Sequence, residues 1–221
     1  MTAALDWYFD PISPFAYLQW VRIGRDHPEV VLRPRPVLLA ALLQHHGQLG
    51  PAEIPAKRDF TFRFVAWQAR RLGIELRCPP AHPFNPLPAL RLILAAPDPL
   101  AATDAVFKHV WRDGRAADSA ESLRGVAAEL GVMDVATAIA GEDVKAALRA
   151  NSDEAIARGV FGVPTLMVGD RAFWGEDATA MALEYRAHPE RFAADIAMIA
   201  SLPVAAERPR PAAAVNGARS A

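Results

Sequence analysis

The chain has 221 residues but only one cysteine, Cys78. A single cysteine cannot form an internal disulfide, nor the dithiol motif that disulfide exchange requires. A chain without disulfides fits a reducing compartment, so we expect a cytoplasmic protein. Cys78 lies between Arg77 and Pro79, far in sequence from the other candidate residues. This position indicates a structural or merely exposed thiol.

The chain also lacks an excess of positive charge and any long apolar run. Its formal net charge is −1, whereas nucleic acid and anionic membranes require a basic surface, so we expect neither as a partner. No run reaches the ~18 apolar residues of a membrane span, and no basic-then-apolar signal segment opens the sequence. The chain does have 52% hydrophobic and 22% charged residues. Such a composition is typical of a soluble globular protein with one large domain, or one domain carrying an insertion.

Strand patterns occur near both ends of the sequence. Leu5–Phe9 is predicted to be a buried strand, Pro14 to about Asp26 a helix, and Val30–Pro34 a second strand at a sheet edge, because of its proline. A crossover this short predicts a parallel βαβ unit. Later, Thr165–Val168 and Arg171–Trp174 flank a two-residue Gly-Asp turn, which is a strong hairpin signal.

The segment between these strands and the end of the chain are predicted to be helical. Trp67 and Trp111 lie on apolar helix faces and are expected to pack the core, although either could wall an aromatic pocket. Asp118 and Glu121 have the spacing of a capping box. The predicted helices are Leu38–Gln44, Lys57–Leu72, Asn85–Ala96, Asp98–Asp113, Asp118–Gly131, Asp134–Ala140, Glu142–Arg158 and Asp177–Tyr185, the last reaching Ser201 if it is continuous.

This order of elements predicts an α/β protein with a thioredoxin-like fold and a large all-helical insertion. The thioredoxin-like domain would comprise residues 1–37 and 142–202, and the insertion residues 38–141. Residues 203–221 are rich in alanine, proline and arginine and have almost no large apolar side chain. They are predicted to be a disordered tail, since they could bury too little surface to offset the entropy of ordering.

The junction Ser13-Pro14 is the first candidate site. Serine is a preferred N-cap, and proline is favoured at the first helical position because the N–H it lacks would have no partner there. The positive end of the helix dipole would stabilise an anion such as a thiolate near Ser13. The common alternative for such a junction is a plain helix cap.

The segment Gly159–Thr165 is the second candidate site. Pro164 stands just before a predicted strand, a position where the peptide bond in this topology is commonly cis. The N–H and C=O of Val163 would then form a short edge that can pair with an extended, peptide-like ligand. The alternative is a simple turn proline.

Five segments carry a family resemblance in matching order and spacing, over about residues 4–200. Together they resemble the 2-hydroxychromene-2-carboxylate isomerase family, which is related to kappa-class glutathione transferases and to thioredoxin-like oxidoreductases with a helical insertion. In this family a serine replaces the first cysteine of the Cys-x-x-Cys motif. The five segments are Asp10–Tyr17, Ile54–Arg58, Pro83–Asn85, Gly159–Thr165 and Phe173–Asp177.

The resemblance implies that the cofactor is glutathione and that Ser13 is catalytic. A hydroxyl at a helix N-terminus can donate to the thiolate of bound glutathione and lower the pKa of that thiol. The resemblance also implies that Val163 pairs with the cysteine backbone of glutathione. The four residues Trp174, Gly175, Glu176 and Asp177 would hold the γ-glutamyl end, with Asp177 facing its ammonium. We also expect Asp177 to be the N-cap of the last helix.

The substrate residues implied by the resemblance are Gln48, Leu49, Lys57 and Asn85. Gln48 departs from the asparagine that the family usually carries, so the resemblance does not identify the substrate. Lys57 could instead be a solvated first-turn lysine, and Asn85 a helix cap. A metal site at His45-His46 is not expected, because adjacent residues do not share a helical face.

The implied function is glutathione-dependent cis/trans isomerisation of an aromatic pyruvate-type or chromene carboxylate in aromatic-compound catabolism, by a homodimer. One alternative is a kappa-like glutathione transferase or peroxidase, which would consume glutathione. The other is a thioredoxin-like module that binds a thiol or peptide without catalysis.

Overall fold

A computed structural model describes residues 4–206, and within them four strands form one mixed sheet in the order β2-β1-β3-β4. β1 is parallel to β2 and antiparallel to β3, and β3 pairs with β4 in the predicted hairpin. The parallel βαβ unit and the edge position of β2 are thus confirmed. The strands are β1 (Leu5–Phe9), β2 (Leu32–Pro36), β3 (Thr165–Val168) and β4 (Arg171–Trp174).

The second strand begins two residues later than the predicted Val30–Pro34. The N–H of Val30 donates to the His27 carbonyl, so Val30 still belongs to the turn that follows the first helix. Pairing starts where Leu5 stands opposite Leu32. The apolar run Val30-Val31 therefore marks the approach to the strand rather than the strand itself.

Ten α-helices surround the sheet within the described residues, and all the predicted helical segments contain a helix. A π-helical turn, Lys108–Arg112, extends the fifth helix, and 3₁₀ turns occur at Pro51–Glu53 and Pro189–Phe192. The helices are α1 (Pro14–Asp26), α2 (Leu39–His46), α3 (Pro55–Leu72), α4 (Leu87–Ala95), α5 (Pro99–Phe107), α6 (Ala120–Glu129), α7 (Val135–Ala140), α8 (Glu142–Ala157), α9 (Thr179–Ala187) and α10 (Ala193–Ser201).

The predicted caps of α6 and α9 were wrong. α6 is capped by Ser119, whose hydroxyl accepts from the Ser122 N–H while the Ser122 hydroxyl accepts from the Ser119 N–H, so the capping box is one residue later than Asp118 and Glu121. α9 begins at Thr179 with Ala178 as its N-cap and no side-chain cap bond. Asp177 therefore does not cap the helix.

The predicted final helix is broken in two. α9 ends at Ala187, and Pro189 then opens the 3₁₀ turn that leads into α10, because proline cannot supply the N–H that a continuing helix requires. The predicted tail begins at Pro203, after the end of α10, but residues 207–221 of it lie outside the described part of the chain. Its predicted disorder stays a prediction.

The core joins the sheet to the helices that lie between β2 and α8. Trp7 and Phe9 point to one face of β1, and their fully buried rings stack with centroids 4.5 Å apart. The ring of Phe107 on α5 lies 5.5 Å from that of Phe9. Tyr8, next to them in the strand, faces the opposite side and packs in a second cluster with Val37, as the alternation of a strand requires. The predicted fold class is confirmed.

α3 has the predicted amphipathic pattern, but not all of its apolar residues face the core. The core side is formed by Val65 and Ala69. The rings of Phe60, Phe64 and Trp67 stack in sequence along another side, with centroids 5.7 Å apart at each step. Phe60 is 59% exposed and Trp67 is 42% exposed. Packing of Trp67 in the core was therefore a wrong prediction, whereas Trp111 is fully buried, as predicted.

Candidate active site

Ser13 lies in the turn between β1 and α1 and caps the helix, as predicted. Its Oγ accepts from the Ala16 N–H at 3.3 Å, and its own N–H donates to the Asp10 carbonyl at 3.0 Å. Pro14 occupies the first helical position, and no acidic residue lies in the first turn. The Ser13 hydroxyl donates no hydrogen bond within residues 4–206. Its hydrogen is therefore available to a group that approaches the N-terminus of the helix.

Asp10 supports this turn from inside the protein. It is fully buried, and its two carboxyl oxygens accept from the N–H groups of Ile12 and Leu39, each at 3.0 Å. Burial raises the pKa of Asp10 to about 7, although both hydrogen bonds act in the opposite direction. Near neutrality this carboxyl is therefore partly protonated. It ties the Ser13 turn to the start of α2.

Two rings from the helical segment bind the remaining carbonyls of the turn. The indole Nε1 of Trp111 donates to the Pro11 carbonyl at 2.8 Å. The imidazole Nε2 of His82 lies 2.9 Å from the Ile12 carbonyl. The peptide groups before Ser13 are thus held by residues 70 to 100 positions away in the chain. Sequence reasoning assigned no role at this turn to Asp10, His82 or Trp111.

The Val163–Pro164 peptide bond is cis, as predicted. Within residues 4–206, neither the N–H nor the C=O of Val163 has a hydrogen-bond partner, whereas the Pro164 carbonyl accepts from the Gly175 N–H at 2.9 Å. Thr165 Oγ1 donates to the Gly162 carbonyl at 2.8 Å, which fixes the loop beneath. Val163 therefore presents an unpaired backbone edge, as an extended ligand would require.

Trp174 closes over this segment at the end of β4. Its ring lies 5.2 Å from that of Phe161, and both rings are partly exposed. A Cβ atom at Gly162 would stand 2.6 Å from the Trp174 Nε1. A larger residue at this position would therefore have to displace the indole from its place over the segment.

The residues after Trp174 are held by two side chains of α1. The buried amide of Gln19 donates to the Gly175 carbonyl at 3.1 Å. Arg22 pairs with one carboxylate oxygen of Glu176, and Gln68 of α3 donates to the other at 3.3 Å. Glu176 is only 3% exposed. Its carboxylate is occupied within the protein, so Glu176 holds this segment in place, while Asp177 beside it is exposed.

The predicted substrate residues, Gln48, Leu49, Lys57 and Asn85, are all exposed and are called the rim below. Lys57 shares a face of α3 with Phe60, Phe64 and Trp67, and the Phe64 ring lies 6.1 Å from that of Phe15, two residues after Ser13. This face therefore adjoins the Ser13 turn. Phe60, Phe64 and Trp67, together with Gln19, Arg22 and Gln68, are candidate site residues to which the sequence analysis assigned no such role. Their only sequence signal was helical spacing.

The other predicted substrate residues are joined to the turn indirectly or not at all. Asn85 Oδ1 accepts from the Leu87 N–H at 3.1 Å, but the N-cap of α4 is Pro86 and the helix has no side-chain cap bond, so Asn85 stabilises the turn before the helix and the predicted cap at Asn85 was wrong. The segment that contains Asn85 contacts the Ser13 turn through His82, whose Nε2 lies beside the Ile12 carbonyl. Gln48 and Leu49 follow α2, and no hydrogen bond or ring contact joins them to the Ser13 turn within residues 4–206. Their substrate role stays a prediction.

Comparison with known proteins agrees with this geometry. Residues 4–185 match the DsbA-like thioredoxin domain. A 2-hydroxychromene-2-carboxylate isomerase of Pseudomonas putida is 30% identical over 185 residues, which cover 80% of this chain and 91% of that protein. The chain belongs to the 2-hydroxychromene-2-carboxylate isomerase family.

Two further proteins are similar to this chain over most of its length. Glutathione S-transferase kappa 2 of Caenorhabditis elegans is 27% identical over 206 residues, 82% of this chain and 91% of that protein. A solved 2-hydroxychromene-2-carboxylate isomerase structure superposes with a TM-score of 0.76 at 25% identity, covering 88% of this chain and 99% of that one. The resemblance read from the five segments is thus confirmed. The family-level activity is that of isomerases and kappa-type transferases.

No helix within residues 4–206 is both long and apolar enough to span a bilayer.

Proposed function

We propose that the protein is a glutathione-dependent isomerase that interconverts the cis and trans forms of an aromatic pyruvate-type or chromene carboxylate in aromatic-compound catabolism. The observation that carries this proposal is Ser13 at the N-terminus of α1, with no acid in the first turn and with a hydroxyl that donates to no group among residues 4–206. A serine cannot exchange disulfides, but it can hold a thiolate that another molecule brings. The isomerase relatives support the reaction type.

The residues around Ser13 fit glutathione. The unpaired N–H and C=O of Val163 match the backbone of a peptide-like ligand. Exposed Asp177 can face the ammonium of a γ-glutamyl group, beside Trp174 and Gly175. Glu176 contributes by holding this segment through Arg22 and not by touching the ligand. When bound, glutathione supplies a thiolate that adds reversibly to a conjugated double bond and so permits rotation about it.

The chain's own groups stabilise that thiolate in two ways. The Ser13 hydroxyl donates a hydrogen bond toward it, and the free N–H groups of the first turn of α1 add the positive end of the helix dipole. Both interactions favour the charged sulfur over the neutral thiol and lower its pKa. Asp10 is buried behind the turn, and its partial protonation near neutrality reduces the negative charge that it sets against the thiolate.

The rim supports a planar, anionic substrate. Lys57 has no ion pair within residues 4–206 and can meet a carboxylate. Phe60, Phe64 and Trp67 continue the same face of α3 and offer stacked rings to an aromatic group. Gln48, Leu49 and Asn85 are proposed as further substrate contacts. We also propose that the protein acts in the cytoplasm as a homodimer.

Replacing Ser13 with alanine tests the proposal. We expect turnover of a chromene carboxylate in the presence of glutathione to fall by about 100-fold, the usual cost of losing a donor to a developing negative charge. The measurement is a glutathione-dependent ultraviolet assay over a panel of such carboxylates. Ser119→Ala is the matched control, since it removes an N-cap serine from α6, away from the Ser13 turn. Unchanged turnover in Ser13→Ala would remove this residue from the mechanism.

A kappa-type transferase is the second candidate, and the relative of Caenorhabditis elegans favours it. Such an enzyme would use the same Ser13 and Val163 contacts, so the site does not separate the two. A measurement of the free thiol concentration during the reaction separates the isomerase from the transferase. Isomerisation leaves the glutathione concentration constant, whereas transfer to a chlorodinitrobenzene-type electrophile consumes one thiol per product. If glutathione failed to raise the melting temperature, both enzyme proposals would lose support, because a ligand of the native state stabilises it.

A further inference from the structure

His82 lies in the segment between α3 and α4, and its ring is enclosed by aromatic side chains. The Phe62 ring stands edge-on to the imidazole at 4.9 Å, the Trp111 ring lies at 5.9 Å and the Phe84 ring at 6.2 Å. Within this enclosure, Nε2 is 2.9 Å from the carbonyl oxygen of Ile12. The imidazole thus meets the backbone directly before Ser13.

The surroundings fix the protonation of this imidazole. A carbonyl can only accept, so Nε2 carries the hydrogen. Nδ1 is buried and has no hydrogen-bond partner among the described residues. Burial, with the nearby Arg58 guanidinium, lowers the pKa of His82. The side chain is therefore a neutral donor with one hydrogen bond, and that bond goes to the Ile12 carbonyl.

The bonded carbonyl belongs to the peptide group that determines where Ser13 points. The C=O of Ile12 and the N–H of Ser13 lie in one rigid plane. The N–H side of this plane donates to the Asp10 carbonyl at 3.0 Å, and the C=O side accepts from His82. Rotation of the plane would change the φ angle of Ser13, now −89°, and would turn its Cα–Cβ bond. His82 and Asp10 hold the plane from opposite sides.

We propose that His82 is a positioning residue for Ser13, which directs the serine hydroxyl toward the sulfur of bound glutathione by holding the Ile12 carbonyl. This inference rests on the function proposed above. His82 does not touch the ligand in this role and exchanges no proton with it. It acts through the orientation of Ser13, so its loss should weaken the stabilisation of the thiolate while the ligand still binds.

Two substitutions separate the hydrogen bond from the volume of the ring. His82→Leu fills the aromatic enclosure but has no donor. His82→Gln retains an N–H at about the reach of Nε2. In the full-length protein with glutathione alone, the ultraviolet absorbance of the thiolate measured against pH gives the pKa of the bound thiol. We expect His82→Leu to raise that pKa by about one unit, an effect of about tenfold on the ionisation equilibrium, and His82→Gln to restore most of the difference.

Steady-state kinetics with a substrate provide the second readout. We expect His82→Leu to lower kcat by about tenfold, in line with the pKa change, while KM for the substrate changes less than about twofold. A purely structural role would lower the melting temperature without moving the thiol titration. If His82→Leu titrates like the wild type, or if His82→Gln is as impaired as His82→Leu, the proposal is overturned.

Ser13→Ala in the same titration separates this inference from the proposed function. If Ser13→Ala raises the thiol pKa and His82→Leu does not, only the role of His82 fails. If neither variant raises the thiol pKa, the proposed role of Ser13 fails, and the role of His82 fails with it. If His82→Leu does not fold, His82→Asn replaces it, since its shorter amide cannot reach the carbonyl. Loss of folding in both, with a folded His82→Gln, would assign His82 to stability and overturn the positioning role.

Discussion

The two sides of the candidate site are built differently. The turn from Asp10 to Ser13 is buried, and its carbonyl, N–H and carboxyl groups are bonded to Leu39, His82 and Trp111 as well as to one another. The rim residues Gln48, Leu49 and Lys57, whose substrate role is a proposal, are exposed and have no side-chain hydrogen bonds within residues 4–206. The turn is a network whose members depend on each other. The rim is a set of independent side chains.

From this difference we expect the turn to determine the reaction and the rim to determine which substrate is bound. A change in the turn disturbs several buried polar groups at once and should cost stability together with thiolate stabilisation. A change at the rim removes one exposed side chain and should leave folding intact.

The largest expected effect concerns Asp10 and pH. In the folded protein the Asp10 pKa is about 7, and in the unfolded chain it returns to 3.8. Between these values the folded state binds a proton that the unfolded state has released, so the free energy of unfolding should fall as pH rises from about 4 to 7 and then level off. The shift corresponds to about 4 kcal/mol. Urea unfolding across this pH range measures it.

Asp10→Asn is the matched variant for this prediction. Its side chain has no proton to release, so the difference in unfolding free energy between wild type and variant should shrink as pH rises toward 7. Because the pKa of His82 is lowered, protonation of His82 reduces the unfolding free energy at acidic pH, which is opposite to the effect of Asp10. His82 is present in both proteins. The comparison therefore isolates Asp10. A constant difference between pH 4 and 7 would show that the carboxyl is charged throughout.

The next effect tests the other buried support of the turn. Trp111→Phe keeps an aromatic ring in the core but removes the donor to the Pro11 carbonyl. A buried carbonyl left without a partner costs about 1–3 kcal/mol, so the unfolding free energy should fall by that amount. Thermal or urea unfolding gives the value. Trp67→Phe is the control, because its indole is partly exposed and bonds no backbone group of the turn. Equal losses in both variants would contradict the special role of the Pro11 bond.

The smallest effect is expected at the rim. Lys57→Ala should change the unfolding free energy by less than about 0.5 kcal/mol, because this side chain is exposed and has no ion pair within residues 4–206. It should raise KM for a carboxylate substrate by about 2- to 5-fold, the scale of one exposed ion pair. Lys145→Ala, in the first turn of α8, is the control for a general loss of charge. A large drop in stability for Lys57→Ala would remove the contrast between turn and rim.

Local sequence signals predicted the backbone of the site well. The cap at Ser13, the cis bond before Pro164 and the β3–β4 hairpin each depend on a few adjacent residues, whose types restrict the backbone directly. Contacts across long sequence separations were not predictable in this way. Nothing near His82 or Trp111 in the sequence indicates that their ring nitrogens meet the carbonyls of Ile12 and Pro11. Only the packing of the helical segment against β1 brings them there.

Helical periodicity had a similar limit. The spacing of Phe60, Phe64 and Trp67 places them on one side of α3, where their rings stack, because spacing determines which side chains share a face. It did not determine whether another element covers that face. Trp111 is fully buried and Trp67 is 42% exposed. In the same way, the family resemblance implied a ligand contact for Glu176, whereas the structure pairs its carboxylate with Arg22 of α1.

α1 connects the two halves of the proposed glutathione site, and this has a consequence for its length. Ser13 lies at its start, while Gln19 and Arg22 hold Gly175 and Glu176 further along. One residue inserted between them would advance the helix by about 1.5 Å and rotate its two ends by about 100° relative to each other. Ser13 and the 174–177 segment would then face different directions. The site therefore restricts the number of residues between Ser13 and Arg22 more strictly than it restricts their identity.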